Sequence, residues 1–436
     1  MSTQTPFRPR PENAVLPAAA SEPRTRRRAG SLPHGPGFWL VAAAFLVAMA
    51  FSAAPTPLYV LYQHRDHFSS FVVSVVFAAY AVGVIVSLFL AGHISDWLGR
   101  RRVLLPALLL EGVAALLFLL WPTLTGLIVA RLVTGLGIGM ITATATAHLG
   151  ELHAVACPGA RRTRADLTST AANLGGLCLG PLVSGLLAQF VAGPLRTPYV
   201  VFIVLLLLSA VGVALAPETV QLGDERPAYR PQRVSVLPED RAHFLASATA
   251  AFAAFAILGL FSSLAPGFVA VTMHHPSRAL AGLVTLTAFG MAAAAQMLLG
   301  RAAVRHQLVV GLTSTSVGLV TVSAAVWLPS LALFLAGGAA AGAGAGILLK
   351  GSISTVADLA APAARGETLA GLFLCGYVGL AIPVLGIGVA TLYVSSQIAL
   401  LGFAVAVLTL ITAVGRRLLA YSGQTTMAAV EVAYRP

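Results

Sequence analysis

Long apolar runs recur along the whole chain, separated by short polar links. Twelve of them can be marked, at about 37–62, 70–91, 103–121, 123–147, 167–191, 197–216, 243–270, 279–299, 307–328, 330–353, 368–393 and 396–418. Each run is near the length of about 20 residues that an α-helix needs to cross a bilayer core of about 30 Å. The runs are continuous rather than alternating, which favours helices over the strands of a membrane barrel. The pattern predicts an all-α polytopic membrane protein with twelve transmembrane helices.

Composition and charge agree with this prediction. Hydrophobic residues make up 58% of the chain and charged residues 10%, whereas a soluble domain carries roughly 25% charged residues. With the N-terminus in the cytoplasm, 22 of the 27 basic residues fall on the cytoplasmic side and three on the other side, as the positive-inside rule requires. The net charge of +12 is thus a property of the links, and we expect no nucleic-acid partner. We predict a multi-pass protein of the plasma (inner) membrane of a bacterium, with both termini cytoplasmic.

Polar segments divide the chain into domains. Residues 1–35 are rich in proline and arginine and are predicted to form a disordered cytoplasmic N-terminal tail. Residues 217–242, the longest internal polar segment, are predicted to be a cytoplasmic central loop between a six-helix bundle at 36–216 and a second bundle at 243–419. Residues 420–436 would then be a cytoplasmic C-terminal tail.

The two predicted halves contain similar short stretches. Phe51-Ser52-Ala53-Ala54-Pro55 in the first apolar run resembles the stretch from Phe261 to Pro266 in the seventh. The fifth and eleventh runs share small residues and a proline, at Gly176, Gly180, Pro181 and Gly185 in one and at Gly379, Pro383 and Gly386 in the other. A weak internal repeat is expected when a transporter is built from two related bundles. Chance similarity between helices rich in alanine and glycine is the alternative.

The link after the second run carries a distinctive motif, G-H-I-S-D-W-L-G-R-R-R at residues 92–102. Gly92 and Gly99 permit a tight turn, and Asp96 lies within reach of the cations Arg100 and Arg101 or of a helix N-terminus. The motif resembles the link between helices 2 and 3 of the major facilitator superfamily of secondary transporters, G-x-x-x-D-x-x-G-R-R/K. This resemblance implies a gating or conformational role for the five residues. An ordinary arginine-rich link is the alternative.

Two ionisable residues lie deep within predicted spans. Arg131 lies about nine residues inside the fourth run, where a charge costs roughly 2.5–3.5 kcal/mol on insertion scales and should face the protein interior. Its run, A-R-L-V-T-G-L-G-I-G, resembles the R-x-x-x-G-x-G pattern of the same superfamily, which implies a part in proton coupling. Glu111 is the acid that lies deep in the third run, at a depth close to that of Arg131. We expect an ion pair between Glu111 and Arg131 that serves either proton coupling or structure alone.

The fifth run carries a motif that bears on whether the substrate is exported or imported. Its residues Gly176, Gly180, Pro181 and Gly185 are similar to the antiporter motif G-x-x-x-G-P-x-x-G-G of the twelve-helix drug:proton antiporter branch. Ser184 replaces the first closing glycine of that motif. The resemblance implies export in exchange for protons, and generic packing of small residues is the alternative.

The resemblance covers about residues 37–418 and implies the fold of the superfamily, twelve helices in two pseudo-symmetric six-helix bundles. It also implies alternating access around a central substrate site near the midplane. By helix and chemistry, the candidate cavity residues beside Arg131 are Pro55, Tyr59, Asn173, Phe261, Ser262, Gln296 and Tyr377. A cavity with few charges suits a lipophilic solute, and together with the resemblance it predicts proton-coupled efflux of a small lipophilic or drug-like solute. A proton symporter that imports a sugar, an amino acid or an organic anion is the alternative, and a membrane sensor or enzyme without transport is a remote one.

Other chemistry receives little support from the sequence. The nucleotide-binding pattern G-x-x-x-x-G-K-[ST] is absent, and the three cysteines have no disulfide or zinc spacing. The histidines near Asp66, those at 274–275 and the group His148, Glu151 and His153 are interpreted as solvated residues at helix ends. We therefore expect no enzymatic activity, no metal and no cofactor. The expected partners are a small-molecule substrate, protons and the lipid bilayer, with the protein as a monomer.

Overall fold

The structure is a computed structural model that describes residues 32–92, 94–220, 236–360 and 365–433. Twelve long apolar helices account for most of this described part of the chain. They are α1 His34–Asp66, α2 Ser70–Ala91, α3 Arg100–Leu120, α4 Leu124–Ala156, α5 Thr163–Phe190, α6 Thr197–Leu215, α7 Arg241–Ser263, α8 Arg278–Leu299, α9 Val304–Trp327, α10 Leu331–Leu359, α11 Arg365–Ala390 and α12 Ser396–Ala433. The apolar part of α12 is Ser396–Arg417.

Large apolar side chains cover the outside of the helices as well as their inside. Leu298 is 82% exposed, Phe190 76% and Leu208 62%. In water such a surface would promote association, whereas the hydrocarbon of a bilayer accepts it. The prediction of twelve membrane-spanning helices is confirmed.

The helices begin and end within a few residues of the predicted runs, with two informative exceptions. The helix α4 continues to Ala156 rather than ending near 147, because its last turns bury His148 and His153. The helix α7 ends at Ser263, and the chain continues through a short helix that contains Pro266 and then a π-helical turn. Proline has no N–H to donate, so the seventh run is interrupted rather than continuous to 270.

The helix contacts of the first half recur in the second half, six helices later. In the first half α1 packs against α4, α5 and α6, α2 packs against α4, and α3 packs against α4 and α6. In the second half α7 packs against α10, α11 and α12, α8 packs against α10, and α9 packs against α10 and α12. Between the halves, α5 packs against α8 and α2 packs against α11. The prediction of two pseudo-symmetric six-helix bundles is confirmed.

The closest contacts between the halves lie at one end of the molecule. We call the end that contains the links at 92–99, 157–162 and 300–303 the basic end, and the end that contains the links at 67–69, 191–196, 273–277 and 391–395 the opposite end. Towards the opposite end, the backbone of α5 at Pro181 lies against Gly282 of α8. Nearby, the Arg278 guanidinium donates to the Ala188 carbonyl at 2.7 Å. In the other pair, Gly388 of α11 packs against Ser74 of α2.

The repeated Phe-Ser stretches mark where the first helix of each half is interrupted. In α1 the regular helix ends at Ala53 and a 3₁₀ turn follows at Thr56–Leu58. In α7 the regular helix ends at Ser263. The two interruptions meet, since the Thr56 hydroxyl donates to the Ser262 carbonyl at 2.9 Å. The repeat therefore places two irregular backbone segments against each other between the halves.

Several predicted segments lie partly outside the described residues. The predicted N-terminal tail is described only from residue 32, and α1 begins at His34. The predicted central loop is described at 217–220 and 236–242 but not between. The predicted C-terminal tail begins within α12, which continues to Ala433.

Close packing of α5 against α1 gives a stability prediction. A side chain at Gly180 would meet the backbone of Ala50, whereas a side chain at Gly175 on the same helix would meet nothing within 4 Å. We expect Gly180→Ala to destabilise the purified protein by about 1–3 kcal/mol through overpacking. Gly175→Ala, the matched control, should be neutral or stabilise by up to about 1 kcal/mol because alanine favours the helix. Thermal unfolding in detergent measures both, and equal unfolding temperatures would contradict the close contact.

Candidate functional site

The side chain of Arg131 is enclosed at the centre of the first half. It is 1% exposed, and it projects from α4 towards α1. Its Nε donates to the Tyr59 hydroxyl at 2.6 Å, and its Nη1 donates to the Ser52 carbonyl at 2.5 Å. The Ser52 carbonyl lies in the last turn before α1 is interrupted. A buried guanidinium must be hydrogen-bonded to be tolerated in a span, and the irregular part of α1 supplies these acceptors.

Aromatic rings complete the surroundings of Arg131. Its Cζ lies 5.4 Å from the ring centroid of Tyr59, 5.9 Å from that of Phe77 and 5.5 Å from that of Tyr80. Rings at this distance attract a cation through their negative faces. Among the described residues, Arg131 takes part in no ion pair. The centre of the first half therefore holds a positive charge that is solvated by hydroxyl, carbonyl and aromatic groups rather than by a carboxylate.

The expected ion pair between Glu111 and Arg131 is absent from the structure. Glu111 is 0% exposed, and neither carboxylate oxygen has a hydrogen-bond partner among the described residues. The carboxylate packs instead against Gly137 of α4. Gly137 lies six residues after Arg131, which is about 9 Å along the helix and about 120° around it. The sequence predicted similar depths, but Glu111 contacts α4 about 9 Å along the helix from Arg131 and on a different face of it.

The link between α2 and α3 is held by a charged network at the basic end. The Arg100 guanidinium donates to Ser95 at 2.7 Å, to Asp96 at 2.5 Å and to Glu151 of α4 at 2.7 Å. Its side chain is 10% exposed, whereas that of Asp96 is 64% exposed. Charge-assisted bonds of this kind are the strong ones in proteins. The motif residues Asp96 and Arg100 thus lie together, and Arg100 fixes the link to α4.

A carboxylate from the segment after α6 caps the start of α3. Glu218, which follows α6, accepts the backbone N–H groups of Arg100 at 2.9 Å and Arg101 at 3.0 Å. Gly99 has φ 107°, a left-handed value that favours glycine, and an added Cβ would lie 2.8 Å from the Glu218 carboxylate. A negative group at a helix N-terminus is stabilised by the unpaired N–H groups and the helix dipole. The other motif glycine, Gly92, ends α2 by donating its N–H to the Leu88 carbonyl at 3.2 Å.

The interpretation of His148, Glu151 and His153 as solvated residues is wrong. His148 is 0% exposed and His153 is 6% exposed, because α4 continues through them. His148 lies 3.0 Å from the Pro217 carbonyl through Nε2, and Glu151 accepts a bond from Thr219 at 2.5 Å. The segment 217–219 therefore makes hydrogen bonds with both α4 and α3 at the basic end. The sequence places an acid at 218 after the sixth run, but nothing local shows that it returns to cap α3.

The small residues of α5 serve two different contacts. Gly176 and Gly180 pack against the backbone of α1, whereas Gly185 packs against Arg278 of α8, beside the Pro181–Gly282 contact. In α11, Gly379 packs against α7 in the matching way. The contact from α11 to α2 is made by Gly388 and not by Gly386, which has nothing within 4 Å.

The candidate cavity residues are only partly brought together. Tyr59 contacts Arg131, while Pro55 and Ser262 lie at the meeting point of the two interruptions. Tyr377 is 9% exposed and packs edge-on against Phe255, 5.2 Å between centroids. The remaining three lie elsewhere. Phe261 packs into its own half against Phe334 of α10. Asn173 is half-buried on α5, and Gln296 is half-buried on α8. Phe77 and Tyr80 were missed, although their spacing of three residues places them on one face of α2.

Two cavities lie elsewhere, between elements of the two halves. One, of about 580 Å³, is at the basic end beside the start of α5 and Arg301. The other, of about 230 Å³, is at the opposite end and is lined by Pro57 and His64 of α1 and by residues 270–281. The predicted cavity residues line neither. Among the described residues, no group of three His, Cys, Asp or Glu side chains could hold a metal ion.

The Glu218 cap can be tested separately from transport. We expect Glu218→Gln to destabilise the purified protein by about 1–2 kcal/mol, because the amide accepts weaker bonds than a carboxylate at the start of α3. The matched control is Asp166→Asn, which removes a charge from an exposed ion pair of 3.5 Å and should change stability by less than about 0.5 kcal/mol. Chemical unfolding in detergent measures both. A smaller effect for Glu218→Gln than for the control would contradict the cap.

Solved structures with this architecture include two transporters. The human organic anion transporter MFSD10 (TETRAN) superposes with a TM-score of 0.67 at 15% identity, over 88% of this chain and 100% of that chain. The nucleoside transporter NupG gives a TM-score of 0.64 at 12% identity, over 87% of this chain and 98% of that chain. At these identities the likeness shows the fold alone.

Comparison of sequences places the chain in a family. A curated relative, the arabinose-proton symporter of Bacillus subtilis (strain 168), is 34% identical over 83 residues, which are 19% of this chain and 18% of that protein. The family model of the Major Facilitator Superfamily matches residues 40–275, more than half of the 436 residues. With the twelve helices in two related bundles, this match shows that the chain is a multi-pass membrane transporter of the Major Facilitator Superfamily.

Proposed function

We propose that this protein is a proton-coupled exporter of a small lipophilic solute that works by alternating access in the inner membrane of a bacterium. The basic end is the cytoplasmic end in this proposal, because 22 of the 27 basic residues fall on that side and basic links stay in the cytoplasm. The bundles at 36–216 and 243–419 are the two moving bodies, and residues 217–242 join them as a cytoplasmic loop.

The contacts between the halves support alternating access. They are closest towards the opposite end, at Gly282 and Gly388, while a cavity of about 580 Å³ separates α5 from Arg301 at the basic end. This arrangement matches a state that is closed to the outside and open to the cytoplasm. Rocking of one bundle against the other would reverse it, and the network of Arg100 with Asp96 and Glu151 would hold the first bundle rigid at its cytoplasmic end.

We infer the substrate class from the guanidinium of Arg131, which donates hydrogen bonds but forms no ion pair among the described residues. It lies among aromatic rings between α1, α2 and α4, and no carboxylate pairs with it among the described residues. Such surroundings favour a solute with an apolar body and an anionic or strongly accepting group. The apolar body would contact the rings, and the acceptor would replace one of the acceptors that Tyr59 and Ser52 now supply.

The carboxyl of Glu111 is our candidate for the proton carrier. It is fully buried and has no donor among the described residues, so a charge on it would be costly in this state. A sliding of α3 against α4 that brings water or a cation to the carboxyl would favour release of the proton. Arg131 would influence this proton release through its positive charge in the same half, without contacting the carboxyl directly.

Export rather than import is supported by the motif of α5. Gly176, Gly180, Pro181 and Gly185 place this helix in contact with both α1 and α8, so it connects the bundle that holds Arg131 to the other moving body. The second candidate is a proton symporter that imports a small nutrient. The similarity of 83 residues to an arabinose-proton symporter favours that alternative.

The function is tested by solute movement in proteoliposomes under an imposed pH gradient. The panel contains lipophilic cations, lipophilic weak acids and common nutrients. The proposal expects a lipophilic compound to move against the direction of proton flow. Movement of a nutrient in the same direction as protons would establish the symporter alternative. Solute movement that is the same with and without the pH gradient would exclude proton coupling.

The role of Glu111 has its own readout. We expect Glu111→Gln to abolish accumulation of solute driven by the pH gradient, because the amide cannot bind and release a proton as a carboxyl does. Exchange of labelled for unlabelled solute should continue. Asp358→Asn, a matched change at an exposed acid of α10, should leave both activities unchanged. If accumulation by Glu111→Gln follows that of the unsubstituted protein at every pH, Glu111 is structural only.

The role of Arg131 is tested by a substitution that keeps its charge. Lysine cannot reach two acceptors in a fixed fork, so we expect Arg131→Lys to weaken substrate binding about tenfold, equivalent to about 1.4 kcal/mol. The control Arg305→Lys changes an exposed arginine of α9. The measurement is the concentration dependence of solute binding to the purified proteins. Unchanged affinity in Arg131→Lys would place the solute elsewhere.

A further inference from the structure

The cavity at the basic end has a basic lining. Its volume is about 580 Å³, and its lining residues are Arg161, Thr163, Arg164, Leu167, Thr168 and Arg301. Arg164, Leu167 and Thr168 are three and four residues apart, so they share one face of α5. Arg301 belongs to the link between α8 and α9. A ligand in this cavity would therefore contact both halves of the protein.

The positive charge of the cavity is not balanced by its own lining. Three guanidinium groups line it, and no acidic side chain lines it among the residues that the structure describes. Asp166, the acid in the first turn of α5, pairs with Arg162 at 3.5 Å and not with a lining arginine. Unpaired guanidinium groups around an open space are suited to a phosphate, which accepts their N–H groups with good geometry.

The surroundings of the cavity place it at the level of lipid headgroups. The Arg164 Cζ lies 5.6 Å from the ring centroid of Trp39 of α1, and Trp39 is 54% exposed. Exposed tryptophans of spanning helices collect at the boundary between hydrocarbon and headgroups. The wall of the cavity includes Leu167, an apolar side chain that is 38% exposed. A cationic floor beside an apolar wall at this depth matches an amphiphile better than a fully soluble anion.

We propose that this cavity binds the phosphate of an anionic phospholipid from the surrounding leaflet, with Arg161 and Arg301 as its ligands from the two halves. The α5 and α8 helices touch towards the opposite end, at Pro181 and Gly282, and the lipid would occupy the space between the halves at the basic end. Its negative charge would offset the repulsion between arginines of the two halves. Binding is expected whether the solute is exported or imported.

The test measures lipid binding rather than transport. Full-length protein in a neutral detergent is titrated with phosphatidylglycerol or phosphatidylcholine, and bound lipid is counted by native mass spectrometry. We expect phosphatidylglycerol to bind at least tenfold more tightly than phosphatidylcholine. Arg161→Gln and Arg301→Gln should each weaken phosphatidylglycerol binding about tenfold through loss of one charge-assisted contact. Arg305→Gln and Arg162→Gln, which change arginines outside the lining, should weaken it less than twofold.

Further arms separate the sources of the phosphate. Glycerol phosphate and inorganic phosphate should protect the protein from thermal unfolding at least 100-fold less effectively than phosphatidylglycerol. Equal protection by these soluble ions would overturn the lipid in favour of a soluble anion. Equal phosphatidylglycerol binding by Arg301→Gln and Arg305→Gln would overturn the site itself. Because the lining arginines are exposed, we expect their variants to fold. Unfolding temperatures measured without lipid, which should equal that of the unsubstituted protein, check this.

Discussion

Close approach of helix backbones is the constraint on which the rest of this structure depends. Within a bilayer, apolar surface gains little by leaving lipid, so helices associate through packing of small residues and hydrogen bonds. Gly180 brings α5 onto α1, and Gly282 and Gly388 bring the two halves together towards the opposite end. The same helix, α5, therefore holds its own bundle and meets the other one. In the proposed mechanism, that double contact makes α5 the helix around which one half would move against the other.

The buried charge of Arg131 is tolerated because interrupted backbone lies next to it. The helix α1 is irregular between Ala53 and Tyr59, and this segment offers Arg131 the Ser52 carbonyl and the Tyr59 hydroxyl. The matching interruption in α7 meets it through the bond from Thr56 to Ser262. If the halves move as proposed, a charged group that is solvated by an irregular segment between them is well placed to respond. The buried and unpartnered Glu111 has no such segment beside it.

Hydropathy was sufficient to predict the twelve spans, because span length is set by bilayer thickness. The two bundles were predicted from the polar segment at 217–242, the weak internal repeat and the resemblance to a transporter family. Position around a helix was harder, since it depends on contacts that the sequence does not list. Glu111 and Arg131 were matched in depth, yet Glu111 packs at Gly137, about 120° around α4 from Arg131. The contact of α11 with α2 at Gly388 likewise could not be read from the sequence. Glu218 caps α3 from 118 residues away, a pairing without any local signal.

In the proposed cycle, the halves are closed at the opposite end and open at the basic end, and they exchange these states during transport. Spin labels at Ala160 and Ala303 report on the basic end, and labels at Ala192 and His275 report on the opposite end; all four positions are exposed. Pulsed electron paramagnetic resonance in nanodiscs measures both distances, with and without solute, at two pH values. The account predicts that the basic-end distance shortens as the opposite-end distance lengthens. Distances that change together, or neither changing while solute is transported, would contradict it.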